Sequence, residues 1–156
     1  MYNQHYSIVI NAPKQKVWEI MLADATYREW TTAFSPDGSH FEGNWEEGSK
    51  IRFVGSDETA EIQGMVCIVK ANKPGEFVSL EISGFAGPNG SEDTESDEAK
   101  KWKGGLENYT FIDHADGTEL KIDLMNEQEA DPEFAEQMKA MWPAALKKLK
   151  EIVESN

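Results

Sequence analysis

Apolar residues along this chain recur with two periods, and the change from one to the other lays out its elements. From Asp131 to about Glu154, Met138, Met141, Trp142, Ala145, Leu146, Leu149, Ile152 and Val153 return every three or four positions, while Lys147, Lys148, Lys150 and Glu151 hold the opposite side. That is the pattern of a long helix with one buried face. Asp131, Pro132 and Glu133 open it: an acceptor side chain caps free N–H groups, proline suits the first helical position, and a carboxylate favours the positive helix end. Pro143 lies inside the pattern, removes a backbone hydrogen bond to Lys139, and predicts a kink or break between Lys139 and Pro143. Trp142, Leu146 and Leu149 form one row. Burying each is worth roughly 1.5 to 3 kcal/mol, against a few tenths for propensity differences, so burial decides this helix and demands a cover for it.

Upstream the period shortens. His5 to Asn11 alternates as a half-buried strand, Asn11-Ala12-Pro13 breaks it, and Pro13 to Leu22 sets Val17, Trp18, Met21 and Leu22 on one helical face. Thr26 to Trp30 reads as a second short helical turn, followed by a loop over Thr31 to Gly38. Strands then dominate to Asn126. His40 to Asn44 and Lys50 to Gly55 form one hairpin, Thr59 to Ala71 and Glu76 to Phe85 a second, and Lys101 to Ile112 and Thr118 to Met125 a third. The turns are Glu46 to Ser49, Asn72 to Gly75, and Asp113 to Gly117, where the Asp116-Gly117 pair supplies backbone freedom. The result is an α+β chain of about seven strands in a mostly antiparallel meander. Between the last two hairpins, Ala86 to Lys100 holds Pro88, two glycines and Glu92, Asp93, Glu95, Asp97 and Glu98. Its composition reads as a mobile surface loop. Crowded carboxylates raise a calcium site as the sharper alternative, but their spacing departs from Asp-x-Asp-x-Asp-Gly, and the solvated loop is preferred.

The totals narrow the function classes. A length of 156 residues, 39% of them hydrophobic and 28% charged, suits one domain over 1–156. No apolar run reaches membrane-spanning length and the N-terminus lacks signal-peptide character, which predicts a cytoplasmic protein without membrane insertion. Cys67, the single cysteine, stands in an apolar run, so it forms no intrachain disulfide and reads as a small buried hydrophobe. With 15 basic against 29 acidic residues the formal charge is −14, which opposes phosphate backbones and anionic lipids. Nucleic acid is excluded as a partner; a basic protein or a cationic ligand would suit the charge, although a solvated surface that keeps the protein soluble is the favoured reading of it.

Candidate chemistry is sparse. Tyr109 and Phe111 share a strand face with Glu107, so if the rings point inward the carboxylate does too, suited to recognising a polar ligand group or to acid/base work. Asn126, in phase with Leu120, Ile122 and Leu124, is a weaker candidate. Trp30, Phe34, Phe41, Phe53, Phe85, Trp102, Met138 and Trp142 could line a pocket, with plain core as the competing reading. His5, His40 and His114 are scattered, with no pair one helical turn apart, so no metal is expected. Neither G-x-S-x-G nor a phosphate-cradling glycine loop occurs, and no catalytic signature or cofactor motif is readable.

The element order, strand, two helices, meander and long terminal helix, resembles the helix-grip fold of the START and birch-pollen-allergen superfamily, also called SRPBCC, over essentially the whole chain. Four patterns sharpen the likeness. Ile10-Asn11-Ala12-Pro13 with Val17-Trp18 looks like the entry I-x-A-P-x-x-x-V-W; Tyr27-x-x-Trp30 is similar to the tryptophan closing the second helix; Gly48-Ser49-Lys50-Ile51-Arg52-Phe53 looks like G-G-x-x-x-F; and Trp142-x-x-x-Leu146-x-x-Leu149 resembles G-W-x-x-x-L-x-x-L. Together they point to the heat-shock-protein ATPase-activator-like branch. Ser49, Met141 and Pro143 depart from its pattern. The resemblance implies a cavity between sheet and terminal helix that takes a small apolar or amphipathic molecule, here with Glu107, Tyr109, Phe111, Trp30, Phe53, Trp102, Met138 and Trp142 as candidate ligand-binding residues. Two rivals stand beside it: a co-chaperone-like module meeting a protein partner through its acidic surface, and an enzyme of the cyclase or hydrolase type, for which Glu107 alone is suggested.

Overall fold

A computed structural model describes all residues, Met1–Asn156. The first strand, β1 (Tyr2–Ile10), starts three residues before the predicted His5, because the alternation already runs through buried Tyr2 and Gln4 and exposed Asn3 and His5. Pro13 stands at the N-cap of α1 (Lys14–Leu22), which buries Val17, Met21 and Leu22. Helix α2 (Asp24–Trp30) begins two residues earlier than expected and runs into a 3-10 turn at Thr31–Ala33. Then come β2 (His40–Gly43), β3 (Lys50–Val54), β4 (Gly64–Lys73) and β5 (Phe77–Ala86). The predicted start of β4 at Thr59 is corrected: Asp57 accepts from the Thr59 N–H at 3.0 Å and Gln63 donates to the Glu58 carbonyl at 2.9 Å. Such local side-chain bonds compete with a strand ladder and hold this stretch as a turn.

A second correction concerns Ala86 to Lys100, expected to be a mobile loop. The segment makes a 3-10 turn at Pro88–Gly90, a two-residue strand β6 (Glu92–Asp93) against Phe85 and Ala86, and a helix α3 (Asp97–Trp102). Its order is borrowed from neighbours. Glu92 meets the Arg52 guanidinium at 2.9 Å and the Lys50 ammonium at 3.1 Å, Asp93 accepts from the Ser96 N–H and hydroxyl, and Ser96 caps α3 by accepting from the Ala99 N–H at 3.1 Å. Ala99 is fully buried. Glu92 and Asp93, two of the five clustered carboxylates, are therefore engaged by the chain itself. Lys101 and Trp102, expected in a strand, end α3, and β7 (Leu106–His114) follows, then β8 (Gly117–Asn126).

The sheet has eight strands rather than about seven, ordered β1-β8-β7-β5-β4-β3-β2, with β6 on the end of β5 and every pairing antiparallel. The meander emerges as predicted; β1 is brought beside β8, pairing Tyr2 with Asn126 and Ile10 with Thr118. Two register shifts between β4 and β5, at Val66/Cys67 and Val69/Ala71, are the irregularities that bend strands and raise local twist.

Helix α4 (Pro132–Glu154) lies across one face of this sheet, capped by Asp131, which accepts from the Glu133 N–H at 2.9 Å. This is the helix-grip architecture. Of the kink or break expected between Lys139 and Pro143, the break does not occur: helical backbone continues through Pro143. Lys139 and Pro143 both face solvent, so the carbonyl that loses its donor can be hydrated. Burial along α4 is lopsided: Trp142, Ala145, Leu146, Leu149 and Val153 are buried, whereas nothing N-terminal to Trp142 is. Replacing Leu149, which is fully buried, by Ala should cost about 2 to 5 kcal/mol in denaturant unfolding, and an unchanged midpoint would show that the sheet does not hold this half of α4. Ser96→Ala should cost about 0.5 to 2 kcal/mol by the same measurement, whereas a freely mobile segment would give no change.

Candidate functional site

Where the N-terminal half of α4 stands away from the sheet, a cavity of about 900 Å³ remains. Phe53, Met65, Ile82, Phe85, Leu106, Tyr109 and Leu124 line it from the strands, and Tyr27, Trp30, Phe34, Phe134, Met138 and Trp142 from the helices and the turn after α2. Trp142 is the hub: its ring centroid lies 5.0 Å from Phe34, 6.2 Å from Trp30, and 6.4 Å from both Tyr109 and Tyr6. These are spacings of favourable aromatic pairs, and the Trp30 indole N–H is pinned to the Met21 carbonyl at 3.0 Å. At one side, Trp102 of α3, Tyr2 of β1 and Phe134 of α4 form a second aromatic group with centroids 5.2 to 6.1 Å apart. Asp57, Glu98, Lys101, Glu129 and Asp131 are exposed and stand at the rim.

The polar end belongs to Glu107. Its carboxylate lies deep in the protein, meets solvent through the cavity, and accepts a hydrogen bond from the Tyr109 hydroxyl. Burial raises its pKa from 4.5 to about 7, opposed in part by that hydrogen bond. Around it, burial first and the Glu107 charge second push up the phenols of Tyr27 and Tyr109 and the thiol of Cys67, and Tyr2 is raised by burial and by Tyr6 and Glu107. The Tyr2 hydroxyl is fully enclosed and has no hydrogen-bond partner. No ion pair reaches Glu107, and no group of three histidine, cysteine or acidic side chains is placed to hold a metal ion.

The family profile described as Activator of Hsp90 ATPase homolog 1-like protein matches residues 11–154. The chain belongs to this family. Solved structures with a similar fold include a protein of Mesorhizobium loti, with a TM-score of 0.74, 15% identity, and 99% of this chain aligned to 98% of that one. The Aha1 dimer of Colwellia psychrerythraea gives 0.72 and 19%, covering 99% and 97%, and a protein of Chromobacterium violaceum gives 0.70 and 19%, covering 99% and 98%. At such identities the likeness shows the fold alone. No curated protein matches the sequence.

Within this AHSA1-family cavity, Glu107, Tyr109, Trp30, Phe53, Trp102, Met138 and Trp142 all border the space, with Phe34 and Phe85 beside them. Phe111 does not. It shares the inward face of Tyr109 but lies further along β7 and is closed into the core. Phe41 packs on Tyr27 and Trp45 outside the lining. Asn126 is also corrected: its amide donates to the Lys101 carbonyl at 2.9 Å, tying the end of α3 to β8 instead of reaching the cavity. Sequence reasoning missed Tyr2, Tyr27 and Phe134. Tyr2 was legible from the alternation that continues back through Gln4, and Tyr27 from the short helix; Phe134 carried no signal, because half of α4 leaves the sheet only in three dimensions.

A carboxylate whose folded pKa exceeds its unfolded one binds its proton more tightly when folded. Its contribution is thus complete below about 4.5 and lost as pH rises through about 7. The stability of Glu107→Gln relative to wild type should therefore climb between those values and level off above them. Urea titrations across that range check this, and a flat difference would mean that Glu107 titrates normally.

Proposed function

We propose that this protein binds one small apolar or amphipathic molecule in the cavity between the sheet and the N-terminal half of α4. The observation that carries the reading is the cavity itself: about 900 Å³, walled by aromatic and aliphatic side chains, with a few polar groups converging at its end. Binding sites for small molecules fall in that range of size and have that chemistry. Protein interiors are otherwise packed to crystal density, and a void of this kind forfeits dispersion contacts and stability. A module acting only through its outer acidic face would have no use for it. The family description, activation of an ATPase, favours a protein partner as the second reading, and the acidic surface would suit a basic one. For catalysis the cavity offers Glu107 with neutral phenols, and no second carboxylate or histidine is set beside it.

An apolar fluorophore should bind the folded protein at one saturable site and raise its melting temperature; at a hundredfold excess over Kd the gain is about 2.7 kcal/mol. Trp142→Ala should weaken the binding by removing the central wall, with circular dichroism confirming the fold. Met138→Trp should weaken it by filling the space, without opening a hole in the core. If a broad panel of hydrophobic compounds neither saturates nor shifts the melt, while a protein partner is captured through the acidic face, the second reading replaces the first.

A further inference from the structure

We infer that the molecule this cavity takes is a lipophilic amine, bound as its ammonium ion against Glu107 and enclosed by the surrounding aromatic rings. The inference rests on the small-molecule reading above and names the class of head group. Charge makes the first selection. The side chains bordering the cavity include five carboxylates, of Asp57, Glu98, Glu107, Glu129 and Asp131, and a single base, Lys101. That base lies at the exposed rim, where Glu98 meets it at 3.6 Å. No cation is left to receive a carboxylate or phosphate head, so an anionic amphiphile would enter a like-charged, low-dielectric space with nothing to pair with.

Unused valence makes the second selection. Glu107 accepts one hydrogen bond, from Tyr109, has no cationic partner in the chain, and keeps acceptor capacity on a carboxylate that faces the cavity. A buried carboxylate without a cationic partner is costly. An ammonium ligand relieves it by donating an N–H to the carboxylate in a charge-assisted hydrogen bond. Ring faces make the third selection, since Tyr109 joins the carboxylate to the cluster of Trp142, Trp30 and Phe34. A cation inside an aromatic enclosure gains from the ring quadrupoles as a neutral head does not. The rim carboxylates also favour entry of a cation.

The test uses three probes of equal chain length: decylamine, decan-1-ol and decanoate, titrated calorimetrically at about pH 8, where an alkylamine is still protonated, and at about 0.15 M salt to screen the acidic surface. Decylamine should bind about tenfold or more tighter than decan-1-ol, the worth of one charge-assisted hydrogen bond, with decanoate weakest. In Glu107→Gln the ratio of amine to alcohol affinity should fall toward one. Decan-1-ol binding as tightly as decylamine to the wild type overturns the inference while leaving the cavity reading intact. So does an amine preference that survives Glu107→Gln, because the outer charge would then account for it. Failure of all three probes to bind overturns the cavity reading itself, and this inference with it.

Discussion

Everything in this fold depends on how much of α4 the sheet can cover. The helix is 23 residues long and amphipathic throughout, yet only its C-terminal half is pressed home, with Ala145, Leu149 and Val153 inaccessible and Leu146 nearly so. That contact supplies the burial which makes the helix worth forming. Over the other half, the same apolar stripe continues through Met138 and Phe134, which are only partly covered, and the space left beside them is the cavity. One repeating pattern thus does two jobs, dense packing and a pocket wall, and Trp142 stands where the one becomes the other.

The cavity unites two environments that proteins usually keep apart. Trp142, Trp30, Phe34 and Tyr109 build a wall of rings, and Glu107 sits at its polar end without a cation from the chain. In that setting a charge is costly, which is why burial lifts the Glu107 pKa close to neutrality. Its phenol neighbours become still weaker acids for the same reason, so near neutral pH Glu107 alone changes charge in this cluster. A group poised in that way responds strongly to whatever enters the space.

The segment from Ala86 to Trp102 shows how surface order arises without a core of its own. Its acidic composition cannot sustain independent structure, but the free end of β5 pairs with β6, Arg52 and Lys50 hold Glu92, and Ala99 plugs a gap. Order there has a consequence for the site. It places Trp102 against Tyr2 and Phe134 at one side of the cavity, so a stretch resembling a dispensable loop builds part of the wall.

Local pattern determined much of this protein. The period of the last helix and its Asp131-Pro132-Glu133 opening, the hairpins around Asp116-Gly117 and Pro74-Gly75, and the family likeness were all legible, because each depends on residues close together in the chain or on a period running through it. The inward face of Glu107 and Tyr109 followed from the two-residue repeat of a strand. Tertiary structure decided what periodicity cannot express. Phe111 obeys the same repeat as Tyr109 and Glu107, yet it is sealed in the core, while they border open space. Asn126 has the phase of a cavity residue and is consumed by the Lys101 carbonyl. Pro143 was expected to kink or break its helix, and the helix is not broken there, on a face where Lys139 and Pro143 are both exposed to water. Each outcome turns on the gap between helix and sheet or on access to solvent. Both are properties of surfaces brought together from distant parts of the chain, and the order of residues along one strand or helix carries no measure of that distance.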